Sequence, residues 1–254
     1  MFSLHVSVLH LSAFLASTAS AAVEANGDNT VNLRIETNLS TLYEGPITSG
    51  PRNITMGGVT YPCDGQGAGS NPGKALGNCP TDALDAAAKA RGFTYDGEFD
   101  GEFNDWDVTR IATTEDWYNL TIIQYWGSLV NYQVSTFGER LTLSGCQQLL
   151  NPGDDVLWAF ITLPAVGGDT NEATGVSFLK LIPMSVTVKK GKGFTVTVTD
   201  GRSGNATQNA SVAEVKTNAE GKATLYLFDA GFFQYKAHRT GDVRSNVMNV
   251  TVTD

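Results

Sequence analysis

The run NLTIIQYWGSLVNYQVSTFGERLTLSGCQQLLNPGDDVLWAF, residues 119–160, decides the fold. It holds an aromatic pair, Tyr125-Trp126, and then Val130-Asn131-Tyr132, with a turn-forming asparagine between apolar neighbours. A second turn, Asn151-Pro152-Gly153-Asp154, opens the segment Asp155-Val156-Leu157-Trp158. Runs of β-branched and aromatic residues bounded by Asn, Pro and Gly read as strands joined by tight turns.

Upstream, Val31 to Thr37 alternates apolar and polar side chains, the pattern of a half-buried strand, and Thr41 to Gly45 reads as a short second one. Thr81 to Arg91 is the one helix, with Thr81 as N-cap, Gly92 as stop, and Leu84, Ala87, Ala88 and the Arg91 stem on the face turned to a sheet. Val108–Ala112, Trp117–Trp126, Val130–Ser135, Leu141–Leu143 and Val156–Leu163 are further strands. The segment 164–175, PAVGGDTNEATG, marks a composition shift and reads as a linker. Beyond it the pattern is pure β, with strands over Val186–Val188, Phe194–Thr199, Ala210–Val215, Ala223–Phe228, Gly231–His238 and Asn246–Val252. Short strands at this spacing over some eighty residues fit an immunoglobulin-type sandwich. The expected organisation is therefore a signal peptide (1–21), a module over 28–163 with one helix packed on a small sheet, the linker, and an Ig-like β-sandwich over 176–254. The fold class is mainly β.

Residues 1–21 have a short apolar core from Val6 to Leu15 and end on Ala19-Ser20-Ala21, as a cleaved leader does. That run is too short to span a bilayer, so a secreted protein without membrane insertion is expected. The net charge of -9 argues against nucleic acid and anionic membrane surfaces as partners. Sequons at Asn38, Asn53, Asn119, Asn205, Asn209 and Asn249 fit a secreted glycoprotein. Of three cysteines, Cys63 and Cys79 bracket a glycine-rich loop, and a bridge between them would contribute about 3 kcal/mol through loop closure. Cys146 is then a buried free thiol or the true partner of one of the other two.

The chemistry-bearing residues point away from catalysis. Once the leader is removed, His238 is the only histidine, far in sequence from any candidate nucleophile. Asp96, Glu98, Asp100, Glu102 and Asp107 can be laid on the ligand positions of a calcium loop, with Asp in place of the usual final Glu. The bland alternative is a solvated acidic turn with Phe99, Phe103 and Trp106 in the core. Asp154 and Asp155, or pairs from the Asp96–Asp107 run, are candidate carboxylates for a glycosidase. Tyr125, Trp126, Asn131 and Tyr132 are the candidate ligand-binding residues, against the alternative that the rings are simply core.

The same stretches carry two resemblances. Tyr125-Trp126, Val130-Asn131 and Gly153-Asp154-Asp155-Val156-Leu157-Trp158, with the Thr81–Ala88 helix, resemble the C-terminal domain of transcobalamin and intrinsic factor, a domain shared with bacterial surface proteins. Asn209-Ala210-Ser211-Val212, Thr217–Leu225, Gly231–Ala237 and Arg244-Ser245-Asn246 resemble bacterial Ig-like repeats of adhesins. The first resemblance implies a ligand-closing domain, although the helical barrel that completes a corrinoid site has no counterpart here and the ligand does not transfer with the fold. The second implies a spacer or ligand-presenting module. Together they lead to a non-catalytic extracellular binding or adhesion protein for an unidentified ligand or glycan. A secreted carbohydrate hydrolase and a structural wall or matrix protein are the alternatives.

Overall fold

Asp155–Pro164 is apolar at nearly every position, as a strand covered on both faces must be. The computed structural model describes residues 27–65, 76–134, 136–137, 140–141, 145–164 and 176–254. The leader, the linker, most of the glycine-rich loop and the end of the Leu141–Leu143 strand lie outside these residues. The chain is mainly β: several sheets and, among the described residues, one helix.

Asp155–Pro164 lies in a six-stranded sheet, parallel to Asn29–Glu36 and antiparallel to Ile122–Val130. Thr41–Ser49 flanks Asn29–Glu36, while Trp117–Tyr118 and Gln133–Val134 pair with Ile122–Val130. Alternation sends Val156, Trp158 and Phe160 to one side, where they share a core with Val31, Leu33, Ile35, Trp126 and the helix residues Ala83, Leu84 and Ala87. Leu157, Ala159, Ile161 and Leu163 go to the other side and meet Leu129, Tyr132, Phe178 and Val243.

The expected continuous strand Trp117–Trp126 is broken at Asn119. Its side-chain oxygen accepts from the backbone N–H groups of Thr121 and Ile122, folding a local turn that competes with the ladder. The hairpin Arg52–Met56 with Val59–Cys63 was not anticipated. Gly57 and Gly58, at φ 56° and 80°, supply the two left-handed residues its tight turn requires.

The helix spans Pro80–Arg91, and its N-cap is Cys79 rather than Thr81. Pro80 takes the first helical position, which needs no N–H, and the Asp82 carboxylate reaches back to accept the Cys79 N–H at 2.9 Å. Thr81 therefore falls inside the first turn, fully buried. Gly92 stops the helix at φ 73°, its N–H bonding the Ala88 carbonyl at 2.8 Å.

In the second half, Leu179–Ile182, Gly193–Asp200 and Lys222–Tyr226 form one three-stranded sheet. Ser185–Lys189, Met248–Thr253 and Gly231–Tyr235 form another. Leu179, Leu181, Val196, Val198 and Leu225 of the first meet Met248, Val250 and Val252 of the second in one apolar core. Leu179–Ile182 escaped the sequence reading because four residues carry too little periodicity.

Candidate functional site

The four residues expected to form a ligand platform do not converge. Trp126 is buried in the helix-side core and donates its indole N–H to the Thr114 carbonyl at 3.0 Å. Tyr125, its neighbour on the strand, points to the opposite face and is half-buried there. Alternation along a strand makes this separation unavoidable. Asn131 and Tyr132 form the two-residue turn between Ile122–Val130 and Gln133–Val134, with φ of 52° and 62°. Asn131 then bonds the Asp154 carboxylate through Nδ2 at 2.8 Å, and its Oδ1 accepts from the Asp155 N–H at 3.0 Å. The Val130-Asn131 turn and the Gly153–Trp158 strand entry thus meet in space, and Asn131 and Asp154 are their fastening.

The acidic stretch forms a β-hairpin, Tyr95–Asp100 with Asp105–Ile111, instead of a calcium-type loop. Asp96, Glu98 and Asp107 lie along its strands, and Glu102 sits in the turn after Asp100. Pairing spreads the carboxylates along a ladder, because Phe99 opposite Trp106 draws the aromatic face into the core. Asp96 accepts from the N–H groups of Gly57 and Gly97 and pairs with Arg110, which together hold its carboxyl below the usual range. Among the described residues, none of the five joins a group of three ligands close enough for one ion.

The disulfide joins Cys63 to Cys146, not to Cys79. Their Cα atoms are 4.8 Å apart across a sequence separation of 83, so the fold, not chain proximity, selects the pair. Cys79 is a buried free thiol. Burial, then the carboxylates of Asp82, Asp105 and Asp64, push that thiol well above its ordinary value.

The six sequon asparagines are surface residues to different degrees. Asn38, Asn53, Asn119, Asn205 and Asn209 are exposed, whereas Asn249 is half-buried and accepts a hydrogen bond from Gln234 at 2.9 Å. His238 is exposed and uses its backbone to bridge to Ser211.

Sequence reasoning missed the junction between the two halves. The polar positions of the first strand, Arg34 and Glu36, are 6% and 1% exposed, where a solvent-facing strand edge was expected. Glu36 pairs with Lys236 and with Arg244 at 2.7 Å, and accepts from the Thr41 hydroxyl at 2.9 Å. Lys236 also pairs with Glu44 at 2.5 Å, and Glu44 accepts the Val247 N–H at 2.7 Å. Arg34 donates to the Arg244 carbonyl at 2.9 Å. The only signal for this was charge at both ends of the chain with no local partner.

Beside this ionic cluster opens a cleft of about 300 Å³. Arg34, Glu44, Tyr132 and Asp155 line it from the first half, and Lys180, Met184, Gln234, Asn246 and Asn249 from the second. Tyr132 sits in a left-handed backbone conformation that is uncommon for a bulky residue. Its ring lies under two cations, Arg34 at 5.8 Å and Lys180 at 5.4 Å from the centroid. A Cβ on Gly201 would stand 2.0 Å from the Tyr132 ring, so the bare glycine backbone is what lets the ring lie there. Burial pushes the Tyr132 phenol up, Arg34 opposes that, and Asp155 and Glu44 add to it, so the phenol is a neutral donor near neutral pH. The cleft offers hydrogen-bonding amides, an exposed ammonium and apolar surface from Leu157, Met184 and Val247. Such a lining can hold a ligand.

No family model, curated protein or solved structure matches the chain. The transcobalamin-like and Ig-like resemblances rest on the sequence motifs alone. Among the described residues no helix is long and apolar enough to cross a membrane.

Proposed function

We propose that this chain is a secreted glycoprotein acting as a non-catalytic extracellular binding module, with its ligand held in the cleft beside Tyr132. The observation that carries the proposal is Tyr132 itself. A bulky residue is kept in a left-handed turn, flanked by Arg34 and Lys180, at the edge of a cleft between two halves of the chain. Backbone strain of this kind persists only where its surroundings over-determine it, and pockets at such junctions are common ligand sites. Side-chain amides beside apolar surface suit a polar ligand with an apolar face, a description that fits a glycan. The transcobalamin-like and Ig-like resemblances point the same way.

The test is a glycan and small-ligand screen on the mature chain, read as a shift in Tm. Asn249 lies in the cleft and carries a sequon, so the screen uses both the wild type and Asn249→Gln, which can carry no sugar there. A ligand that raises Tm in Asn249→Gln and loses that effect in Lys180→Glu supports the proposal. A screen in which nothing binds refutes it in favour of a structural wall or matrix role. Hydrolysis of a polysaccharide that disappears in Asp154→Asn refutes it in favour of a carboxylate hydrolase.

A further inference from the structure

We propose that the N-terminal end of the helix carries a latent site for a thiophilic divalent cation, best fitted by Zn2+, formed when the Cys63–Cys146 disulfide is reduced. The Cys63 and Cys79 sulfurs and a carboxylate oxygen of Asp82 lie within 4.8 Å of one another, and all three residues are buried. Cys146 contributes the remaining sulfur, since it is bonded to Cys63. The Cys79 thiol also reaches the Cys146 carbonyl at 3.2 Å, which brings the Cys146 backbone beside this group. Three sulfurs and one carboxylate form a donor set of the size and softness that tetrahedral zinc takes.

Asp82 gives a second, independent indication. Its Oδ2 accepts the Cys79 N–H, but its Oδ1 is buried and has no partner, in a residue with no solvent exposure. A buried carboxyl oxygen left without a partner costs free energy that a cation ligated there would recover.

The chemistry balances simply. A phosphine or thiol reductant gives two electrons to the Cys63–Cys146 bond, and the two separated sulfurs each take up a proton. Zn2+ then displaces the thiol protons to solvent as the sulfurs coordinate it. With the disulfide intact, Cys63 and Cys146 have no thiolate to offer, so the site is closed.

The test uses the full mature chain, reduced anaerobically with a phosphine and titrated with Co2+ as a spectroscopic stand-in, then with Zn2+. The expected result is one cobalt per chain, with sulfur-to-metal charge-transfer bands and the visible bands of tetrahedral cobalt, bleached by Zn2+. The disulfide-intact protein should give none of these. Asp82→Asn keeps an acceptor for the Cys79 N–H, so the helix cap survives, and affinity should fall about tenfold or more. Cys79→Ser removes one of the sulfurs and should weaken the charge-transfer bands and lower the affinity. The proposal is overturned by a reduced chain that gives no bands, or by bands of equal strength in Cys79→Ser. It fails equally if reduction unfolds the chain by circular dichroism and Zn2+ does not restore the fold.

Discussion

The ionic cluster at the junction makes an asymmetric prediction. Glu36 has no exposed side-chain surface, and two cations, Lys236 and Arg244, neutralise it from the second half. Replacing both by methionine keeps much of the packing volume but strands a carboxylate in a buried site, with the Thr41 hydroxyl still bonded to it. Breaking a buried ion pair from one side costs about 3–5 kcal/mol, because the remaining charge loses its hydration without compensation. Lys236→Met/Arg244→Met should therefore lower stability by about that amount. Adding Glu36→Gln to the pair should recover part of it, since a neutral amide is far less costly to bury than a lone carboxylate, while Glu44, which also loses Lys236, keeps the remainder. The assay is urea unfolding followed by tryptophan fluorescence, with Trp106, Trp126 and Trp158 all buried as reporters. A double substitution costing less than about 1 kcal/mol, or a triple variant as unstable as the double, would show that the cluster is not the desolvated network inferred here.

Two further outcomes follow. Disulfide mapping should find Cys63 linked to Cys146 with Cys79 free, and Cys146→Ser should cost about 2–5 kcal/mol, whereas a Cys63–Cys79 peptide would refute the pairing. Asp116 accepts the Trp126 N–H at 3.0 Å, yet burial pushes its carboxyl up to about 7, with Asp107 and Glu115 adding to the shift. A raised folded pKa means the native state holds the proton longer, so stability is lost as pH rises from about 4 to 7 through this group. Asp116→Asn should then be stabilising relative to wild type at pH 8 and nearly neutral at pH 4, measured as Tm. A difference that does not change with pH would count against it.

Local chemistry wrote a good part of this fold. Asn131 belongs to a turn because asparagine tolerates the left-handed region, and Gly92 ends the helix because glycine does. The strict alternation of Val196 and Val198, or Val250 and Val252, places those residues in a core regardless of what covers them. These features depend on a residue's own backbone preference or on its neighbours within one strand, so they are legible in the sequence.

Whatever depended on segments distant in the chain was decided only by the tertiary structure. Cys63 finds Cys146 because both end beside the helix N-terminus, a coincidence of topology that loop length could not foretell. Tyr125 and Trp126 serve opposite faces of a sheet covered on both sides, so adjacency in sequence is separation in space. Arg34 and Glu36 read as solvent-facing, because alternation reports only that one face differs from the other. Lys236 and Arg244, two hundred residues on, make that polar face an interior. Periodicity orients a side chain relative to its own strand; only the packed partner determines whether the side it faces is water.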